Sequence, residues 1–387
     1  MSEIRVNSLG NESNTGGPVL SGITTFSGQQ YFIPPTGTTA QRPSGCPPGS
    51  IRFNTDSAHL EYWNGLVWLE FEASSVELGN QLVSNSAGGT GTRGVLGGMQ
   101  INPSPGYTDK IEYLTFATLG NTQDFADLSE ARGNGVGGCS SSTRGIFLNG
   151  YDPGTSSNII DYITISSTGD AIDFGDSQHK TEGMRAGGNQ TRGVSHGGSE
   201  RANSFNTSNT IDYITFSSTG NAQDFGDMSV GGGSDFCGAC SSPVRVLFGG
   251  GTQDGGANAR INFVTTSTTG NSTVFGDLSI ARSGNAALSN STRGIWACGG
   301  PSAPSNSTIE FLTLATLGNS QDFGDTSFTS GYATANASPT RGIIMGSQTT
   351  MDFITIATTG NGSDFGDNGF VGTNADGGFI SNGHGGL

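Results

Sequence analysis

Few residues of this chain have the types and spacing that chemistry requires. Cys237 and Cys240 have the CxxC spacing of redox and zinc sites. Cys240 lies five residues before Arg245, however, and Cys139 lies five residues before Arg144, so both cysteines fill the same small-residue position of a repeat. We therefore expect no metal and no redox chemistry at this motif.

Carboxylates are the other group whose spacing could indicate chemistry. Asp pairs three positions apart flank a Phe at Asp124/Asp127, Asp173/Asp176, Asp224/Asp227, Asp322/Asp325 and Asp364/Asp367. A calcium loop needs about six oxygen ligands, and two carboxylates supply too few. Glycoside hydrolysis needs two carboxylates facing each other across a sugar, and no pair stands out among 32 acidic residues. The four histidines have no metal-ligand or nucleophile-motif spacing. The sequence predicts no catalytic residues, no cofactor and no enzyme.

Three signals recur in a fixed order and indicate six internal repeats. The first is Arg-Gly (Arg-Val in one repeat) followed by an apolar run, with its arginines at Arg93, Arg144, Arg192, Arg245, Arg293 and Arg341. The second is an apolar-acidic-aromatic run such as IDYIT, whose acidic residues include Asp161, Asp212 and Glu310. The third is a turn and short run such as TGNAQDFGD, with phenylalanines at Phe125, Phe174, Phe225, Phe275, Phe323 and Phe365. Alternation, β-branched residues and Gly-Asn turns are typical of short strands.

The repeats predict an all-β fold in which each repeat supplies one small sheet. Such a sheet cannot bury both of its faces alone, and packing several sheets face to face around an axis solves that problem. We therefore expect a β-propeller over residues 50–387, with a β-solenoid as the alternative. The repeats lie near residues 84–129, 132–177, 185–229, 232–279, 282–327 and 331–369.

The two ends of this region predict how the propeller closes. Residues 50–71 alternate like strands and carry an Asn-Gly hairpin signal, while residues 377–386 resemble the Arg-Gly strand. We expect 50–71 and 372–387 to pair as a composite seventh blade, which would remove two exposed sheet edges. The alternative is six blades with the 50–71 hairpin as a separate module. Residues 1–49 predict an extended attachment arm, or else a disordered tail.

We expect the repeated arginines and phenylalanines to be structural, because they recur in every repeat. Each Arg is predicted to hydrogen-bond the acidic residue of the aromatic strand, such as Asp161 or Asp212, and each Phe to pack between sheets. The connections after Gly-Gly differ between repeats, and variable loops on a rigid scaffold are a usual place for recognition. Their aromatic residues are candidate ligand contacts, with solvated connections as the alternative: Tyr107, Tyr151 and Phe205.

The charge balance excludes several partners. Acidic residues outnumber basic ones by 32 to 16, so no basic face is expected that could bind nucleic acid or anionic lipid. No stretch approaches the ~20 apolar residues of a membrane span. The first ten residues have no apolar signal core, so we expect synthesis in the cytoplasm without a signal peptide.

Several stretches resemble known families. The order of Gly-rich strand, Gly-Gly doublet, aromatic strand and turn is similar to kelch repeats, and GNAALSNSTRGIWACGG looks like the repeats of regulator-of-chromosome-condensation propellers. TGNAQDFGD is similar to the aspartate-box turn of sialidase propellers. MSEIRVNSL, FIPPTGTTAQRP, PGSIRFNTDSAHLEYWNGLVWLEF and the IDYIT…TGN…DFGD units resemble structural proteins of tailed phages, especially those of marine cyanobacteria.

The phage resemblance covers nearly the whole chain and implies a virion component. It implies a tail fibre or appendage that recognises a host-surface glycan or protein, is attached to other virion proteins through the N-terminal arm, and is present in several copies. The alternative is a head or neck decoration or connector with a structural role. A glycan-cleaving enzyme is the third hypothesis.

Overall fold

The computed structural model describes residues 34–57, 59–70, 92–101, 106–152, 154–200, 206–228, 234–300, 306–370 and 376–387. The chain divides into two compact units, Met1–Ser84 and Asn85–Leu387. Within the described residues, every regular element except one 3-10 turn is a strand. No helix in these ranges is long and apolar enough to cross a membrane. The prediction of an all-β chain is confirmed.

The first unit contains a four-stranded sheet. Its elements are β1 (Thr36–Gly37), the 3-10 turn Thr39–Gln41, β2 (Ile51–Asn54), β3 (His59–Trp63) and β4 (Trp68–Glu70). The order is β1-β2-β3-β4, with β1 parallel to β2 and the remaining pairs antiparallel. The predicted boundary of the arm at residue 49 is therefore wrong, because the main chain from Thr36 already pairs with β2. Residues 1–33 of that arm lie outside the described residues.

The described residues of the second unit form six sheets, which we number along the chain. Sheet 1 contains β5 (Arg93–Gly97), β6 (Gln100–Ile101), β7 (Gly106–Thr115) and β8 (Gln123–Arg132); sheet 2 contains β9 (Gly137–Ser140), β10 (Arg144–Leu148), β11 (Ile159–Thr164) and β12 (Ile172–Asp176). Sheet 3 contains β13 (Glu182–Gly188), β14 (Arg192–Glu200), β15 (Asn206–Thr207), β16 (Thr210–Thr215) and β17 (Gln223–Asp227).

The remaining sheets repeat this plan. Sheet 4 contains β18 (Gly238–Ser241), β19 (Arg245–Gly249), β20 (Thr252–Gln253), β21 (Gly256–Thr265) and β22 (Thr273–Arg282). Sheet 5 contains β23 (Ala286–Ser289), β24 (Arg293–Ala297), β25 (Asn306–Thr313) and β26 (Gln321–Ser330); sheet 6 contains β27 (Thr334–Ala337), β28 (Arg341–Met345), β29 (Thr350–Thr355) and β30 (Ser363–Asp367). The last strand, β31 (Gly378–Ser381), is antiparallel to β5 and completes sheet 1.

This pairing corrects the predicted composite blade. Residues 378–381 pair with β5 of the first repeat, whereas residues 51–70 form their own sheet with β1. The prediction that 50–71 and 372–387 share a blade is wrong. In sheet 1, the described residues of the first repeat include no inner strand. The C-terminal strand β31 takes that position beside β5.

The innermost strands follow one another in a cycle: β31, β9, β13, β18, β23, β27 and again β31. Six apolar clusters lie between successive sheets, including the pair formed by sheets 6 and 1. Each cluster contains one of the repeated phenylalanines Phe125, Phe174, Phe225, Phe275, Phe323 and Phe365. The second unit is therefore a propeller-like fold whose core is divided among the sheet interfaces.

Neighbouring sheets are also joined at their outer strands. In five of the six junctions between described sheets, the Gly of a Gly-Asn turn donates its N–H to the Phe carbonyl of the preceding outer strand, as Gly270 does to Phe225 at 2.7 Å. The junction between sheets 1 and 2 has no such bond among the described residues. There Ala126 occupies a position that is glycine elsewhere: Gly175, Gly226, Gly276, Gly324 and Gly366. A Cβ at Gly226 would lie 2.6 Å from the carbonyl group of Gly270, so glycine permits the close approach.

Candidate functional site

Each repeated arginine links two sheets. The Arg93 guanidinium lies 4.4 Å from the ring centre of Tyr113 in its own sheet, and its Nη1 donates to the carbonyl oxygen of Ile165 in the next sheet at 2.9 Å. The same two kinds of contact are made by Arg144, Arg192, Arg245, Arg293 and Arg341. The predicted pairing with the acidic residue of the aromatic strand is therefore wrong. Adjacent strand residues point to opposite faces, so an Arg stacked on the aromatic ring is on the wrong face for the acid.

The acidic residues of the aromatic strands bind the preceding sheet instead. Asp161 accepts hydrogen bonds from Ser129 and lies 2.9 Å from Nη2 of Arg132, and both charged side chains are buried. Glu310 and Arg282 form the equivalent buried pair at 3.0 Å. In sheet 3, burial raises the pKa of Asp212 to about 6, and the hydrogen bond from the backbone of Gln178 opposes that rise.

The structure brings together two of the three loop aromatics. The rings of Tyr107 and Tyr151 meet edge to face with centres 5.4 Å apart, and both side chains are half-buried. The main chain of Tyr151 exchanges two hydrogen bonds with Gly133, at 2.7 and 3.0 Å. Phe205 lies outside the described residues.

The CxxC cysteines are buried thiols in and beside an inner strand. Burial raises the pKa of Cys237 to about 11 and raises the pKa of Cys240 further. Cys139 occupies the position equivalent to Cys240 in sheet 2, and burial raises its pKa as well. Across the described ranges, no group of three or more His, Cys, Asp or Glu side chains is arranged to hold a metal ion.

The inner strands surround a cavity of about 50 Å³, which is room for a few water molecules. At one end, main-chain hydrogen bonds join sheets 2 to 6 in turn, at or just before the start of their inner strands. Gly183 N–H donates to Asn134 at 3.1 Å, Phe236 to Gly183 at 2.8 Å, Gly284 to Phe236 at 2.9 Å, and Ala333 to Gly284 at 2.8 Å. This belt fixes the backbone around the cavity and places its side chains at a common level.

Charged and aromatic side chains converge at this belt, and we call them the rim cluster: Glu182, Arg185, Asp235, Phe236, Tyr332 and Asp376. Arg185 lines the cavity, and its guanidinium lies 5.9 Å from the ring centre of Phe236. Phe236 meets Tyr332 edge to face at 5.4 Å, and Tyr332 is 38% exposed. Asn134 donates to Glu182 at 2.8 Å. The cluster therefore extends from the cavity wall to solvent.

The rim cluster contains buried polar atoms without partners. Both carboxylate oxygens of Asp376 and Nη2 of Arg185 have no hydrogen-bond partner within the described residues. Asp376 is fully buried, and burial raises its pKa to about 7, although the charge of Arg185 opposes the rise. Burial lowers the pKa of Arg185, with Asp376 as the largest opposing charge. Arg185 lines the cavity, and buried polar atoms without partners need an explanation, of which a bound ligand is one.

Sequence reasoning missed the rim cluster, although the repeats contain its signal. Strand register places Arg185 at a position where the other inner strands have Gly137, Gly238, Ala286, Thr334 and Gly378. Two residues before that position stand Gly135, Gly183, Phe236, Gly284, Tyr332 and Asp376. Large or charged side chains thus replace small ones at the crowded axis, and this departure from the repeat could have been found by alignment of the six units.

The opposite end of the cavity holds residues 382–387. Nε2 of His384 lies 2.8 Å from the carbonyl oxygen of Ser140 in sheet 2, and Nδ1 lies 3.4 Å from Oγ of Ser241 in sheet 4. Burial lowers the pKa of His384 to about 4. A Cβ on Gly385 or Gly386 would collide with carbonyl groups of sheets 3, 4 and 5. Because this end is filled, a ligand would enter the cavity from the rim cluster.

Comparison with known proteins gives a match of fold. No family model and no curated protein matches the chain. The solved structure of YjhT matches with a TM-score of 0.55 and 10% sequence identity, and the match covers 66% of this chain and 91% of that one. At this identity the likeness shows the fold alone.

This match corrects the prediction that the chain is not an enzyme. That prediction rested on the absence of recognised catalytic motifs and on a structural reading of the repeats. One fold can host unrelated functions, so the fold that this chain shares with YjhT gives no ground for excluding catalysis. Enzymatic activity is therefore not excluded.

Proposed function

We propose that the chain is a virion protein of a tailed phage whose second unit recognises the host surface. We further propose that the six sheets of this unit form a closed six-bladed propeller. The virion assignment rests on the resemblance of the first 71 residues and of the repeats to tailed-phage structural proteins. The recognition role rests on the rim cluster.

The observation that carries the recognition role is the set of unpaired buried polar atoms beside an exposed aromatic ring. Asp376 and Arg185 offer hydrogen-bonding atoms, and Tyr332 reaches solvent at the same end of the cavity. Tyr151 pairs with Gly133, directly before Asn134 of the belt, so the Tyr107–Tyr151 pair lies next to this end. Recognition sites of rigid scaffolds commonly combine such groups.

The first unit supports attachment to other virion proteins. Cross-strand pairing places Ile51, Leu60 and Leu69 on one face of its sheet, and these side chains are 51%, 40% and 38% exposed. Arg52 and Glu61, which form an ion pair at 3.3 Å, point to the opposite face and are buried. An apolar face on one side of a small sheet is typical of a surface that is covered in an assembly. Several copies per particle would follow from such an assembly.

A head or neck connector is the second candidate, and the same apolar face favours it. Electron microscopy of intact particles labelled with antibody against residues 92–387 separates the two. Label at tail fibres or tail tip supports host recognition, whereas label at the head or neck supports the connector. Absence of label from every particle counts against both.

Purified protein tests recognition directly. The fluorescently labelled full chain should bind host cells, and Tyr332→Ala should reduce that binding while Leu119→Ala, an exposed residue of an outer turn, leaves it unchanged. The same incubations should be analysed for released saccharide, because turnover of host polysaccharide would identify the protein as a glycan-cleaving enzyme.

A further inference from the structure

We propose that the rim cluster binds a sugar ring that has no acidic group, either neutral or amine-bearing. The inference rests on the proposed role in host recognition and names the chemistry of the ligand.

Hydrogen bonding points to a ligand rich in hydroxyl groups. The two oxygens of Asp376 can only accept when ionised, and Nη2 of Arg185 can only donate. A hydroxyl group does both, so neighbouring hydroxyls of one ring can donate to the carboxylate and accept from the guanidinium. Because Asp376 and Arg185 have no partner at these atoms, these bonds would replace none that the described residues already make. Asp376 is fully buried, so its side chain must move towards the rim to make them.

The aromatic part of the rim points to a ring with an apolar face. Tyr332 and Phe236 are in edge-to-face contact, and both are partly exposed. A pyranose ring presents C–H groups on one face and hydroxyls around its edge. Stacking on Tyr332 would therefore leave the hydroxyls free to reach the charged groups.

The charges of the rim exclude an acidic ligand. Glu182, Asp235 and the ionised fraction of Asp376 outnumber Arg185, and each of these carboxylates acts on the rim electrostatics. The whole chain has a net charge of −16. A carboxylate, sulfate or phosphate on the ligand would meet like charges in a site of low dielectric, whereas an amine would meet opposite ones.

The test uses saturation-transfer NMR of the full chain with D-glucose, D-galactose, D-mannose, D-glucosamine and D-glucuronate. Affinities are then measured for Tyr332→Ala and Asp376→Asn, with Asp364→Asn as the matched control on an exposed outer strand. Thermal unfolding of each variant reports whether it folds. We expect at least one of the first four sugars to bind, glucuronate to bind more weakly than glucose, and both rim variants to lose about tenfold in affinity or more.

Three results would overturn the proposal: no binding of any of the four sugars, equal or tighter binding of glucuronate, or binding that is unchanged in folded rim variants. The proposed function fails separately. If particles are unlabelled but sugar binding depends on Tyr332 and Asp376, the rim site is supported and the virion role is contradicted. If the protein binds host cells and the rim variants bind them equally well, host recognition stands and the rim site falls.

Discussion

Nη1 of Arg341 lies 2.7 Å from the main-chain carbonyl oxygen of Phe116, although 225 residues separate the two. The same guanidinium stacks over Phe353 at 4.7 Å. This contact joins sheet 6 to sheet 1 with the geometry that the other five arginines use between consecutive repeats. The junction between the last and first repeats is thus built like the others.

Arg341→Met should destabilise the second unit, because it removes a charged hydrogen bond and the stacking on Phe353. We expect a loss of about 1–2 kcal/mol in the free energy of unfolding, measured by urea titration. Arg144→Met removes the equivalent bond to Phe216 and provides the matched comparison. Equal losses would show that the junction of sheets 6 and 1 is as strong as an internal one. An unchanged midpoint for Arg341→Met would contradict the role assigned to it.

Ala126 and Gly226 form a natural pair of test positions. Gly226→Ala should destabilise by at least about 1 kcal/mol, because φ is 145° and the new Cβ would press on the carbonyl of Gly270. In the reverse direction, Ala126→Gly should allow the missing bond from Gly169 to Phe125 to form. Amide exchange at Gly169 measures this: slower exchange in Ala126→Gly is expected, and unchanged exchange would show that Ala126 is not what prevents the bond.

Arg282→Met should lower the free energy of unfolding more than most single substitutions. It leaves the carboxylate of Glu310 buried without its cation, which typically costs about 3–5 kcal/mol. The double variant Arg282→Met/Glu310→Gln removes both charges and should recover much of that loss. Chemical denaturation of the single and double variants checks this. A double variant as unstable as the single one would mean that packing around Arg282, and not its charge, determines the effect.

His384 should make stability fall in mild acid. Its pKa is lowered from 6.5 to about 4 by burial, so the folded state binds fewer protons than the unfolded state between these values. The stabilisation is complete above pH 6.5 and is lost as the pH falls towards 4. His196 has the same lowered pKa and contributes in the same direction, whereas Asp376, with its raised pKa, has the opposite sign.

His384→Gln should therefore flatten the acid limb of the melting temperature plotted against pH. His179→Gln, at a side chain that is 40% exposed and lies 3.2 Å from Glu200, is the control and should not flatten the limb. An acid limb of the same slope in His384→Gln would show that this histidine binds protons equally in the folded and the unfolded protein.

The roles of some residues could be predicted from the sequence, whereas the contacts between sheets could not. Arg93 and Phe125 were recognisable as structural because they recur, and recurrence is visible in the sequence. The hydrogen-bond partner of Arg93 could not be recognised in the same way, because it depends on which face of the next sheet packs against Arg93. Asp376 and Arg185 occur once each, and their proximity arises only when sheets 1 and 3 are brought to the same axis.

The sequence by itself determined that the chain is all-β and consists of similar repeats. Alternating apolar and polar residues and turn-forming residues specify strands and turns locally, so they can be recognised without the tertiary structure. It also marked the phenylalanines as core residues, since each repeat must bury the same faces. Only the tertiary structure decided that β31 pairs with β5, so that residues 51–70 form a sheet of their own. Strand pairing between distant segments depends on which free sheet edge a strand can reach, and β31 lies beside β5 only when the intervening sheets are packed around the axis.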